Sequence, residues 1–217
     1  MARANEQSVT VTVGTAKLHG DLALPREAKG VVLFAHGSGS GRLSPRNRFV
    51  AQTLQKRGLA TLLLDLLEER EADDRRKVFD IDLLADRLLG ATAWLRQHPA
   101  TANLPLGYFG ASTGAGAALQ AAARMPEAVA AVVSRGGRPD LAAPHLARVT
   151  APTLLIVGGH DWPVIEMNQE ALAKLTCPKE LIIVPGANHL FDEPGTLEQV
   201  ADHAGEWFER HLSAHYS

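Results

Sequence analysis

Unbroken apolar runs of four to six residues recur along the chain, separated by longer stretches whose apolar positions fall every three or four residues. Gly30–Ala35 is one such run; Leu59–Leu64, broken only by Thr61, reads as the next buried strand, and 106–109, 129–133, 153–157 and 181–184 as four more. Runs this short, without polar alternation, fit strands buried on both faces. Residues 8–13 instead alternate, and 17–24 can fold back on them across Gly14-Thr15, which predicts an antiparallel hairpin. Helical spacing covers Pro45–Lys56, ending near Gly58, and a series from Ile81 to Leu95 that stops before Pro99. Three further helix-like runs occupy 115–124, 164–175 and 197–212. The alternation predicts an α/β fold: a mostly parallel central sheet, an N-terminal antiparallel hairpin and helices on both faces.

Two segments fall outside this alternation. The charged stretch 68–77 reads as a solvated loop or a helix start. The connection 135–153 has room for one small helix, about 141–147, so no large cap domain is expected there.

Composition narrows the class without naming an activity. The 217 residues fit one domain, 1–217, and 46% apolar with 21% charged residues is ordinary for a soluble globular protein. A formal charge of −2 gives no footprint for nucleic acid or an anionic membrane. Cys177 is the single cysteine, which excludes an internal disulfide and argues against a thiolate zinc site. His203, His211 and His215 near the C-terminus read as solvated rather than as a metal site. No signal peptide and no apolar run approaching the about 18 residues of a membrane span stand out, so a cytoplasmic protein is expected. A homodimer is left open.

Ligands in open parallel sheets sit beyond the carboxyl ends of the strands, and four of those ends carry chemistry. Gly30–Ala35 runs into His36-Gly37-Ser38-Gly39-Ser40-Gly41; 106–109 runs into Gly110-Ala111-Ser112-Thr113-Gly114. The strand at 153–157 leads to Gly158-Gly159-His160-Asp161-Trp162-Pro163, and 181–184 leads to Pro185-Gly186-Ala187-Asn188-His189-Leu190-Phe191. A serine on a sharp strand-to-helix turn needs small neighbours, and Gly110 and Gly114 supply them. Such a serine requires a base to become a nucleophile. His189 is the candidate base, and Asp161 would fix its tautomer. The order Ser112, Asp161, His189 is that of one hydrolase architecture. Backbone N–H groups of Thr113 and Ser38 are the candidate oxyanion donors.

On these motifs the chain resembles the α/β-hydrolase superfamily, and within it the dienelactone hydrolase-like group of small, lidless serine hydrolases. The match runs from about Gly30 to the C-terminus through HGSGSG, GASTG, GGHDWPV and GANHLF. The resemblance implies the hydrolase sheet with Ser112, Asp161 and His189 as its triad. Dienelactone hydrolases proper carry cysteine at the elbow, whereas this chain has Ser112. That difference favours a general carboxylic-ester hydrolase over a lactone hydrolase.

Other residues compete for roles around this core. Asp140 and Asp192 are alternative acids, and His36 is expected to hydrogen-bond beneath its turn. Arg135 and Arg138 are candidates for a substrate carboxylate, with a loop salt bridge as the other reading, and Arg42 raises the same question. Trp162 and Phe191 flank triad members and are candidates for lining an acyl pocket. The expected protein is an esterase acting on small-molecule esters with no metal or organic cofactor. A lactone hydrolase or thioesterase on the same triad, and a non-catalytic small-ligand binding module of the same fold, are the alternatives.

Overall fold

The structure, a computed structural model, describes residues 4–212. Eight strands form one sheet in the order β1-β2-β4-β3-β5-β6-β7-β8. β1 (Asn5–Val13) and β2 (Ala16–Leu24) make the antiparallel hairpin, and β2 also pairs antiparallel with β4 (Leu59–Leu64). From β4 onward through β3 (Gly30–Ala35), β5 (Leu106–Ala111), β6 (Ala131–Arg135), β7 (Thr153–Gly158) and β8 (Lys179–Val184), all pairing is parallel.

The unbroken apolar runs follow from the two cores that this sheet separates. In β3, Val31 and Leu33 face α4 (Ile81–Gln97) and α5 (Thr113–Arg124), while Val32 and Phe34 face α1 (Pro45–Lys56) and α7 (Thr196–His211). Alternate side chains of a strand point to opposite faces, so a strand covered twice favours apolar residues on both. A ten-residue 3-10 helix (Pro139–Arg148) and α6 (Trp162–Lys174) pack on the α5 face. At Gly107 an added Cβ would meet the Phe208 ring at 2.6 Å, which shows how closely α7 lies on β5.

Helix starts were marked in the sequence. Ser44 caps α1 by accepting the Asn47 N–H, with Pro45 at its first position, and Asp80 caps α4 by accepting the Leu83 N–H at 3.0 Å. Two differences from the sequence reading stand out. β6 begins two residues later than expected and takes in Ser134 and Arg135, both buried. The charged segment, expected as a solvated loop or a helix start, forms not one but two short helices, α2 (Glu69–Ala72) and α3 (Arg75–Val78). No helix among the described residues is long and apolar enough to cross a membrane.

Candidate active site

Ser112 sits at the N-cap of α5 with φ 52° and ψ −123°, a region that non-glycine residues seldom occupy. Its flanking glycines account for how the turn closes. A Cβ on Gly110 would run into the Ala115 backbone, and one on Gly114 into the carbonyl oxygens of Ala35 and His36. A serine at an N-cap ordinarily accepts a hydrogen bond from its helix. Ser112 makes no such bond, and its Oγ has no hydrogen-bond partner among the described residues. The hydroxyl is left for other work.

Asp161 repeats this arrangement. It stands at the N-cap of α6, yet its carboxylate does not cap the helix and accepts instead from His189 Nδ1 at 2.6 Å. The position at a helix N-terminus favours the negative charge. His189 is held from several sides: the Asn188 N–H donates to both Glu193 carboxylate oxygens at 3.1 Å, and the Leu190 N–H donates to Asn188 Oδ1 at 2.8 Å. Gly136, at φ 51°, runs alongside the imidazole, its Cβ position 3.5 Å from the ring. Gly37 lies as close to the serine, its Cβ position 3.7 Å from Ser112 Oγ.

The two competing acids are engaged elsewhere. Asp140 takes Arg138 in a two-pronged pair at 2.8 and 2.7 Å, and Asp192 pairs with Arg46 at 3.2 Å.

The expected oxyanion donors lie side by side but are not equivalent. Thr113, at the first turn of α5, has no acceptor for its N–H within the helix. The Ser38 N–H, by contrast, donates to Thr113 Oγ1 at 3.0 Å. His36 works beneath this turn as expected. Its Nε2 accepts the Leu66 N–H at 2.9 Å, and Nδ1–H donates to the Gly37 carbonyl at 2.9 Å. Burial holds its pKa below the usual imidazole value, against the opposing pull of the Gly37 carbonyl and the Asp65 charge.

The remaining candidates are distributed by the fold. Arg138 is the loop salt bridge just described. Arg135 is 8% exposed, with its guanidinium 5.9 Å from the Phe191 ring centroid and one weak bond to Asn47 Oδ1 at 3.4 Å. Burial pushes its pKa down to about 10, helped by the Arg46 charge and opposed by Asp192. Phe191 itself is packed in the α1–α7 core, whereas Trp162 is 71% exposed. Arg42 is held by Asp21 and Asp65. His211 packs at a tilt against Trp207, the ring centroids 4.5 Å apart, and His215 lies outside the described residues.

The sequence reading missed a cavity of about 440 Å³ on the β4 side of the elbow. Gly37, Ser38 and Thr113 close its inner end, and Leu67, Val78 and Leu84 supply an apolar wall. The apolar residues bracketing the charged stretch, Leu66-Leu67 before it and Val78 after it, were the available signal.

A strand-to-helix serine, an acid and a histidine following β5, β7 and β8 are the arrangement of α/β hydrolases, and the model of the dienelactone hydrolase family matches residues 18–214. The chain belongs to that family. It is 60% identical to a dienelactone hydrolase from Anabaena variabilis, covering 97% of this chain and 100% of that one, with a TM-score of 0.95. A lidless α/β serine hydrolase from Xanthomonas campestris shares the fold at 21% identity and a TM-score of 0.78, with 96% of each chain covered. A curated protein of Mycobacterium tuberculosis H37Rv, provisionally named a phosphoribosyl transferase, is 58% identical over 207 residues, 95% of this chain and 47% of its own length. The chain thus spans about half the length of that curated relative.

Proposed function

We propose that the chain is a serine hydrolase that cleaves small carboxylic esters through Ser112, His189 and Asp161. The observation that carries this reading is the 2.6 Å bond from His189 to Asp161, set beside a serine whose strained turn leaves its hydroxyl unengaged. An acid that orients an imidazole has its use where that imidazole moves a proton. With an ester in place, His189 Nε2 takes the Ser112 proton as Oγ bonds to the ester carbonyl carbon. The carbonyl oxygen becomes an oxyanion beside the Thr113 and Ser38 N–H groups. The tetrahedral adduct then breaks its bond to the alcohol oxygen, which His189 protonates. Water, deprotonated by the same histidine, attacks the acyl-enzyme and releases the acid and Ser112. No step calls for a metal or organic cofactor. The direct Ser112–His189 bond forms on substrate binding, as catalytic hydrogen bonds often tighten only in the complex.

Lactones and thioesters pass through the same steps with a different leaving group, and a peptide leaves less readily. The phosphoribosyl name belongs to a longer relative as a whole; the acyl chemistry is assigned to the half that this chain represents. Turnover of p-nitrophenyl butyrate with Ser112-dependent labelling by a fluorophosphonate tests the assignment. Labelling lost in Ser112→Ala supports it. A folded protein that resists the probe would instead be a binding module of the same fold.

A further inference from the structure

The cavity beside the elbow has a direction. Ser112 follows β5; the cavity is built from the ends of β2, β3 and β4 and from α2, α3 and α4, while His189 follows β8 at the other side. The leaving oxygen of an ester must face His189 to receive its proton. The acyl chain, on the opposite side of the reacting carbon, then points toward β4 and into the cavity.

Its charges set what can enter. Arg42 is the arginine that lines it, and Asp21 and Asp65 take its guanidinium at 3.3 and 3.2 Å. Asp65 also accepts the Arg42 N–H at 2.7 Å. Glu69 lines the same cavity with no ion pair among the described residues. His36, buried, is held neutral. The two arginines of the β6 end give no help, because Arg138 is locked on Asp140 and Arg135 lies against Phe191 on the α1–α7 side. A carboxylate brought here loses water and meets Glu69. Arg42 is already taken by two carboxylates, and solvent-exposed His19 is the one unpaired basic side chain among the described lining residues.

We infer that this cavity is the acyl pocket and that it selects an uncharged acyl group, disfavouring one that ends in a carboxylate. The inference rests on the serine-esterase reading above. Apolar chain atoms lie against Leu67, Val78 and Leu84, so each methylene added raises kcat/KM by about 2–4-fold until the cavity fills.

The experiment compares p-nitrophenyl acetate, butyrate and hexanoate with mono-p-nitrophenyl glutarate and its methyl ester, on the full chain. The expected result is a rise from acetate to hexanoate, with the free glutarate about 10-fold or more below its methyl ester. Val78→Trp should lower the hexanoate-to-acetate ratio about 5-fold. Glu69→Lys, an exposed change compatible with folding, should raise the ratio of glutarate to its methyl ester about 5-fold. Free glutarate turned over as well as its methyl ester overturns the inference, as does a charge ratio that Glu69→Lys leaves unmoved. Ester turnover that survives in Ser112→Ala, or no turnover of any ester, defeats the catalytic reading as well. Ser112-dependent turnover in the wrong order defeats the acyl pocket alone.

Discussion

The Ser38 N–H donates to Thr113 Oγ1 at 3.0 Å, so the glycine turn after β3 is tied to the first residue of α5. The two proposed oxyanion donors thereby belong to one unit, in which the Thr113 hydroxyl holds the Ser38 N–H in place and shares it with any incoming oxyanion. Thr113 is 3% exposed, and loss of its hydroxyl leaves the Ser38 N–H beside a methyl group. Thr113→Val should lower kcat about 10-fold with a much smaller change in KM, since an oxyanion contact matters most in the transition state. Thr113→Ser should restore most of it. A Thr113→Val enzyme faster than the wild type would mean that the hydroxyl blocks the donor instead of placing it.

His36 couples the same turn to pH. Its neutral form uses both ring nitrogens, one toward Leu66 and one toward Gly37. Its folded-state pKa lies below 6.5, so on acidification the unfolded chain takes the proton first. Stability is therefore unaffected by His36 well above pH 6.5, declines as pH falls below it, and levels off below the folded-state value. Protonation turns Nε2 into a donor facing the Leu66 N–H, at a cost of about 1–3 kcal/mol. Thermal melts from pH 7.5 to 5 check this: the fall in Tm should be smaller in His36→Asn. Parallel curves for the two proteins would remove His36 as the cause.

Glu71 anchors the roof of the cavity. It accepts from Lys77 Nζ and Arg87 Nη2, each at 3.0 Å, and its side chain reaches the Glu68 N–H at the same distance. Burial works against its charge, but the Glu68 N–H, Lys77 and Arg87 outweigh it and hold the carboxyl below its usual range. That stabilisation is present above about pH 4.5 and disappears as pH falls through the lowered value. Glu71→Gln should cost about 2 kcal/mol, because Arg87 is then buried without its anion. Limited proteolysis should cut within 68–78 sooner in the variant; an unchanged digestion rate there would show that the roof is held by other contacts.

Much of this was legible in the sequence, for definable reasons. Strands β3, β4 and β7 announce themselves because both their faces are covered, so nearly every position is apolar, with Thr61 and Thr153 the buried exceptions. Ser112, Asp161 and His189 were legible because each follows a strand end, in an order that a parallel sheet brings to one edge. The structure then adds that His189 takes Asp161, while Asp140 and Asp192 are paired with Arg138 and Arg46. Pairing across distant segments is what escaped. Glu71 and Arg87 lie 16 positions apart, so their pairing has no local signature, and only the apolar Leu66-Leu67 and Val78 on either side hint that 68–77 covers a cavity. Ser134 and Arg135 read as the end of a strand by polarity, yet the packed sheet carries the strand through them.

Asp161→Asn separates orientation from mere presence. Asparagine keeps the size and offers His189 an amide in place of the carboxylate, which removes the stabilisation of the imidazolium. Ester turnover should fall by as much as about 10⁴-fold, the scale seen when a triad acid is neutralised in this way. Because Asp161 makes no helix-capping bond, stability should change little. A variant that retains activity while Asp140→Asn loses it would transfer the acid's role to Asp140.

The most direct measurement is intact-protein and peptide mass spectrometry after rapid mixing with p-nitrophenyl butyrate and an acid quench. The account predicts a butyryl adduct on the peptide that carries Ser112, with no adduct in Ser112→Ala and kcat there lower by on the order of 10⁴-fold or more. An adduct on another residue, or undiminished turnover in Ser112→Ala, would contradict it.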